Sequence, residues 1–373
     1  MTFASNNVRA VSSVILKMTY GYVVEPRTPD PLTLLIEHMM QDASVAATPL
    51  TWAVDVIPAL RYLPEWFPGV SFHCAARKSN RILRMVIDVP YTFVRRQMVA
   101  GRQRLSYVSS LIDQHDCNGV KDGKLDENTE KAIKYTAAAM YAGGADTIVA
   151  AITSFILAMI LFPAVQRKAQ EELAAVIGVT RLPQHKDRKD LPYINAIIKE
   201  THRWLPIAPM GVPHVATEDT IYEGLHIPKG ALLLPAVWWF LHDNNIYSDP
   251  LSFDPDRFLG TRDEPDPANE MFGYGRRICP GRFIADDTLF ITISRLLATF
   301  NITRAIDEQG NELNPKIEIS PGLVGRQLEF PYSIQPRNPT CVQLIRSVET
   351  IYPWEEGDAA RLPEEFVSAW TKT

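Results

Sequence analysis

The sequence predicts a mainly α protein with small β-sheets, on three observations. Residues 1–110 read mostly as helices, and three more helical segments follow up to Trp204. After Pro206 the texture changes to short β-rich runs punctuated by Pro and Gly. A last long helical period, RFIADDTLFITISRLLATF at 282–300, starts just after a Cys-Pro-Gly.

In chain order, the helical region 1–110 is broken at 60–72 by the aromatic, proline-containing LRYLPEWFPGVSF. The polar run DCNGVKDGKLDENTE at 116–130 reads as a loop. It leads into a helix over about 128–162, and Pro163 opens the next. Helices follow at about 164–177 and 191–204. APMGVPHVA, TIYEGLHIP and GALLLPAV read as small strands, DPLSFDPDRFLG as an extended, turn-rich meander, and the stretch from 300 to about 339 alternates like short strands. No internal repeat or low-complexity segment occurs.

The 373 residues can bury one large core or two ordinary ones, and 46% hydrophobic with 22% charged residues is an ordinary globular composition. A net charge of −5 argues against a nucleic-acid partner. Cys74, Cys117, Cys279 and Cys341 are scattered with no CxxC pair, which excludes a disulfide framework or structural zinc and suits a reducing compartment. MTFASNNVRAVSS has no apolar segment of signal-peptide length, so no leader is expected. Residues 137–162 carry Asp146 as their only charge and could span a bilayer by length. Gly143, Gly144 and Asp146 sit near the middle, where a carboxylate in lipid is expensive, so a buried helix with a functional interruption is expected over a membrane span.

The stretch FGYGRRICPG at 272–281 surrounds one cysteine with cations and backbone freedom. Cys279 precedes a helix, whose positive end favours thiolate over thiol. Gly273, Gly275 and Gly281 allow turns that aim amide hydrogens at one atom. Arg277 offers a planar charged fork suited to a carboxylate, and Phe272 an apolar wall. A lone cysteine is commonly a small buried hydrophobe, but these neighbours suit a haem iron ligand beside a propionate receptor. The pattern F-x-x-G-x-R-x-C-x-G is met by Phe272, Gly275, Arg277, Cys279 and Gly281.

That pattern resembles the haem-binding signature of the cytochrome P450 family. The resemblance implies haem b with Cys279 as axial iron ligand, Arg277 on a propionate, and thiolate ligation that favours O–O cleavage. Gly143-Gly144-Ala145-Asp146-Thr147 matches the family's [AG]-G-x-[DE]-T. Two glycines open room and loosen the helix, while Thr147 as oxygen-side hydroxyl and Asp146 as its relay partner can deliver protons. A kink with a satisfied polar pair is the other reading. Glu200-Thr201-His202-Arg203 fits E-x-x-R, and Phe253-Asp254-Pro255-Asp256-Arg257-Phe258 fits F-x-P-x-R-F. By resemblance Glu200, Arg203 and Arg257 form a buried, structural ion network.

His214 falls where the family often has a propionate donor, or it is a packing residue of a strand. Ala208, Pro209, Met210, Leu323 and Val324 align with substrate-facing segments and suit a hydrophobic substrate; core packing explains them equally well. Arg276 and Arg282 are candidate docking cations for a reductase, or simply solvated. The resemblance covers about residues 8–348 and is nearest to fungal membrane-bound members, with a suggestion of secondary metabolism. It implies a monooxygenase that uses O2 and takes electrons from NADPH through NADPH–cytochrome P450 reductase.

The fold expected is a cytochrome P450 fold lacking its N-terminal third, including the anchor and the helix bearing W-x-x-x-R, which has no match before the long helix. Intact members reside at the endoplasmic reticulum membrane; this chain is expected to be cytoplasmic or peripherally attached, with residues 60–72 touching the membrane through Trp66 and Phe67. The catalytic domain is placed at 1–340. Residues 341–373, with six acids and three bases, read as an acidic, solvated extension. The alternative function is a haem-free remnant acting at most as a scaffold or binding partner.

Overall fold

In the computed structural model, residues 3–48, 50–116, 125–364 and 366 are described. Cys117, most of the polar run at 116–130 and most of residues 365–373 lie outside them. Two compact units emerge, Met1–Val149 with Pro353–Thr373, and Ala150–Tyr352.

The first unit holds helices α1 (Phe3–Tyr20), α2 (Pro31–Ala47), the short α3 (Ala53–Val56), α4 (Phe72–Val99), α5 (Tyr107–Asp116) and the first part of α6 (Glu127–Leu161). Asp30 starts α2: its Oδ1 accepts from the amides of Leu32 and Thr33 at 2.9 and 3.1 Å, and Pro31 takes the first position, where no donor is needed. Its Oδ2 accepts from the Tyr22 hydroxyl at 2.8 Å and the Glu25 amide at 3.0 Å, which fixes the chain entering the helix. α2 packs along α4. Tyr22 lies edge-on to Phe93 of α4, and the Tyr141 hydroxyl of α6 donates to the Leu32 carbonyl. Burial pushes the phenols of Tyr20, Tyr22 and Tyr141 well above the usual range, so all three stay neutral.

The second unit continues α6 and adds α7 (Pro163–Val176), α8 (Pro192–Trp204), β1 (His214–Val215), β2 (Thr220–Tyr222), β3 (Leu225–Ile227), β4 (Leu232–Leu233), α9 (Val237–Phe240), α10 (Ala268–Met271), α11 (Arg282–Thr299), β5 (Phe300–Arg304), β6 (Tyr332–Pro336) and α12 (Pro339–Ile351). Three antiparallel pairs form: β1 with β4, β2 with β3, and β5 with β6, with His214 opposite Leu233. α11 packs against α7 and α8, and α8 against the turn Pro255–Phe258. Phe162, Trp204 and Phe253 share one aromatic contact, ring centroids 5.6–5.9 Å apart.

Three expectations need correction. Between 305 and 331 the alternating pattern yields isolated bridges at Ile306 and Ile319 and no named strand. There the Gln327 side chain supplements two backbone bonds, Ser320 to Arg326 and Leu328 to Glu318, by accepting from the Glu318 amide at 3.1 Å and donating to the Lys316 carbonyl at 2.9 Å. The long helix α6 is unbroken through Gly143 and Gly144, so no interruption occurs. Among the described residues, the segment after 341 is not solvated throughout: Cys341, Asp358, Leu362 and Phe366 are buried. Asp358, 0% exposed, accepts from the Val23 amide at 2.9 Å, from Arg104 at 2.5 Å and from Arg361 at 2.6 Å. Counting acids missed this, because one carboxylate facing two guanidiniums outweighs the average character of a tail.

Candidate functional site

The cysteine loop is built by glycine conformations. Gly273 and Gly275 take φ of +76° and +57°, which side-chain-bearing residues resist, and they fold the chain back so that the Cys279 amide donates to the Phe272 carbonyl at 2.7 Å. Gly281 differs from expectation. Its φ of −82° is ordinary, and its role is proximity: a Cβ there would lie 3.8 Å from Cys279 Sγ. α11 begins at the next residue, with no side-chain cap at its amino end. The Cys279 thiol is free and half-buried, and among the described residues no amide donates to its sulfur.

Phe272 is half-buried, while Gly275 and Arg277 are exposed. Arg277 pairs with no carboxylate among the described residues, and neither does the exposed His214 on β1. Arg276 is exposed too. Arg282 is half-buried, donates to the Cys279 carbonyl at 3.2 Å and stacks over Phe283, so it braces the loop and is not a free surface cation.

A buried ionic platform forms at the end of α8. Glu200, Arg203 and Arg257 are all 0% exposed. Arg203 clasps Glu200 through Nε at 2.7 Å and Nη2 at 2.8 Å, and Arg257 Nε reaches Glu200 Oε1 at 3.1 Å. Arg203 also donates to the carbonyls of Leu241, Pro250 and Ser252 at 2.8–3.0 Å, and Arg257 to that of Ser248 at 2.8 Å. The meander is thereby tied to α8. Burial pushes the Glu200 carboxyl up, against the pull of the two guanidiniums.

Sequence reasoning missed three residues here. Glu264 closes the network, accepting from Arg257 at 2.6 Å and Arg262 at 2.8 Å; against its burial, those bonds hold its carboxyl below the usual range. Arg188 grips Asp286 and Asp287 in the first turns of α11 at 2.7 and 3.1 Å. His202, buried, sets its ring 5.7 Å from that of Phe272, edge to face, and neither ring nitrogen has a hydrogen-bond partner among the described residues. Burial lowers its pKa to about 4, so the imidazole is neutral. Glu264 and Arg188 carried no local signal, and His202 was hidden inside a motif read only for its ends.

Pro209 and the turn at 322–325 come together: the Gly325 amide donates to the Ile207 carbonyl at 2.7 Å, and a Cβ on Gly325 would lie 3.6 Å from the Pro209 ring. Of the five apolar candidates, Val324 is buried, Ala208 and Pro209 are half-buried, and Met210 and Leu323 are exposed.

Asp146 and Thr147 belong to the first unit. Asp146 is buried, and the Thr147 hydroxyl donates to the Gly143 carbonyl at 2.7 Å, one turn back. Gly143 borders open space, while Gly144 is held small by Ile15 of α1, whose Cδ1 would lie 2.8 Å from an added Cβ. Only Gly143 therefore leaves room.

A free sulfur before a helix, a Cβ-free approach beside it and unpaired cations on the same unit fit a planar group that bears carboxylates and accepts a thiolate. The comparisons with known proteins agree. The cytochrome P450 family profile matches residues 3–325. Cytochrome P450 monooxygenase CLM2 of Gibberella zeae is 51% identical over 360 residues, 96% of this chain and 68% of that protein. The multifunctional cytochrome P450 monooxygenase af510 of Aspergillus fumigatus is 44% identical over 91% of this chain and 63% of that protein. This chain thus spans about two thirds of the length of these relatives. A zebrafish cytochrome P450 solved with abiraterone shares the fold, with a TM-score of 0.66 over 90% of this chain and 72% of that one at 22% identity.

Proposed function

Because this chain belongs to the cytochrome P450 family, we propose that it works as a haem-thiolate monooxygenase, placing one atom of O2 into a hydrophobic organic substrate. The observation that carries this reading is the free, half-buried thiol of Cys279 on its glycine-built loop ahead of α11. Haem b, held there by Cys279, would supply the oxygen chemistry.

The chain's own residues have distinct tasks. Cys279 presents its sulfur just ahead of the amino end of α11. Arg277 and His214, exposed and without a carboxylate partner among the described residues, receive the propionates. Phe272 walls the loop, with His202 behind it. Thr147 holds a proton on its hydroxyl, parked on the Gly143 carbonyl, and Asp146 is the buried carboxyl that replenishes it. Ala208, Pro209, Met210, Leu323 and Val324 supply apolar contacts to the substrate.

Electrons come from an NADPH-dependent flavoprotein reductase, for which exposed Arg276 is the docking cation. Residues 60–72, where Trp66 is 80% exposed, touch the endoplasmic reticulum membrane. α6 is long and apolar enough to cross a membrane, yet 78% of its most apolar window is buried within the protein, and we assign it to the core.

The test is a reduced carbon-monoxide difference spectrum of the haem-loaded chain, beside Cys279→Ser. The parent shows the thiolate-ligated band and the variant loses it while remaining folded. A parent that stays compact but never shows the band defeats the proposal and leaves a haem-free binding role.

A further inference from the structure

A groove of about 420 Å³ runs between α2 and α4 on the first unit, lined by Leu34 and His38 of α2 and by Lys78, Arg81, Ile82 and Met85 of α4. The pattern of α4 explains its two-sided chemistry. Ile82, Val86, Val89 and Phe93 face the core. Arg77, Arg81 and Arg84 recur at i, i+4 and i+7 on the solvent side, with Lys78 one step round. No acid interrupts α4 before Asp88, so four cations crowd residues 77–84. Lys78, Arg81 and Arg84 pair with no carboxylate among the described residues, and Arg77 is ion-paired with Glu65. The groove therefore has an apolar floor at Ile82 and a cationic rim.

Its surroundings narrow the partner. Glu65 sits directly before Trp66 and Phe67, both exposed, so the Arg77–Glu65 pair anchors an aromatic ridge beside the cationic groove. Val56, Ile57 and Tyr62 extend the exposed apolar surface along the same segment. Apolar side chains next to a basic patch are the two signals that together hold a protein on an anionic bilayer. A nucleic-acid duplex offers no apolar layer for Val56, Ile57, Trp66 and Phe67 to enter, whereas a bilayer does.

We infer that the groove between α2 and α4 binds the phosphate headgroup of an anionic phospholipid at a membrane surface. Arg81 and Lys78 take the phosphate oxygens, Leu34, Ile82 and Met85 meet the glycerol and first methylenes, and Trp66 and Phe67 lie at the interface. The inference rests on the reading that residues 60–72 touch a membrane.

The test is co-sedimentation of the full chain with vesicles of phosphatidylcholine alone or mixed with phosphatidylserine. The parent partitions roughly tenfold or more better onto the anionic vesicles, and salt reduces the preference. Lys78→Gln with Arg81→Gln, exposed positions outside the core, removes that preference and leaves binding to neutral vesicles unchanged. Lys78→Arg with Arg81→Lys restores it. Lys186→Gln with Lys189→Gln, the same charge change elsewhere, has no effect. Trp66→Ser with Phe67→Ser weakens binding to both vesicle types. If phosphatidylserine adds nothing, or the double Gln variant keeps the preference, the groove assignment falls while the aromatic contact stands. If inorganic phosphate at the lipid concentration strips the protein from the vesicles, the site takes a soluble anion and the assignment falls. Failure to bind either vesicle overturns both readings.

Discussion

Replacing Glu200 by Ala removes the one acid that two fully buried guanidiniums share. In the folded protein Glu200 accepts four bonds: two from Arg203, one from Arg257 at 3.1 Å and one from the Asp254 amide at 2.8 Å. Arg257 keeps Glu264 as a partner, but Arg203 is left with backbone carbonyls alone around a permanent charge. Breaking a buried pair in this way costs about 3–5 kcal/mol, far above the exposed-pair value. For a unit of this size, each kcal/mol lowers the midpoint by about 2–4 °C, so a fall of about 10 °C is expected. The assay is thermal and urea unfolding of the parent and Glu200→Ala, with Glu312→Ala as reference. Glu312 pairs with Arg304 in the open, and its loss should cost about 1 kcal/mol or less. If Glu200→Ala loses no more than Glu312→Ala, the network does not fasten the meander and the reasoning fails.

His202 makes stability depend on acid. Its folded pKa of about 4 lies below that of the unfolded imidazole, so the unfolded chain takes up a proton that the folded one refuses; this contribution is fully present above about pH 6.5 and is lost as pH falls toward 4. Urea unfolding should show about 2 kcal/mol lost between about pH 7 and pH 5 from this group, and His202→Leu should lack that component. Asp286 and Asp266 are the charges acting on the ring, and both oppose the shift, so neutralising them should carry the loss on to lower pH. Gly211→Ala places a Cβ against the Pro235 ring at a φ of +57° and should cost about 2 kcal/mol or more. Gly230→Ala, at φ +86° but meeting nothing within 4 Å, should lose only about 1 kcal/mol, and equal losses would refute the steric account. Asp358→Ala should expose residues beyond 353 to limited proteolysis at a protease dose the parent resists, and unchanged resistance would show that the tail is held by Leu362 and Phe366 alone.

Sequence by itself determined the helical character, the positions of the long helices and the glycine-built turn around Cys279. These follow from local pattern: apolar period, Pro and Gly punctuation, and a motif whose residues lie within ten positions of one another. It also marked both ends of the ion platform, Glu200 and Arg257, although 57 positions separate them. Tertiary structure alone decided what local pattern cannot carry. Gly144 is small because Ile15 presses on it, and Asp358 is buried where it meets Arg104, 254 positions away in the chain. The physical reason is the same in each case. Composition and period describe what a segment can bury or bond, whereas which partner arrives depends on distant residues brought to within 3 Å by packing.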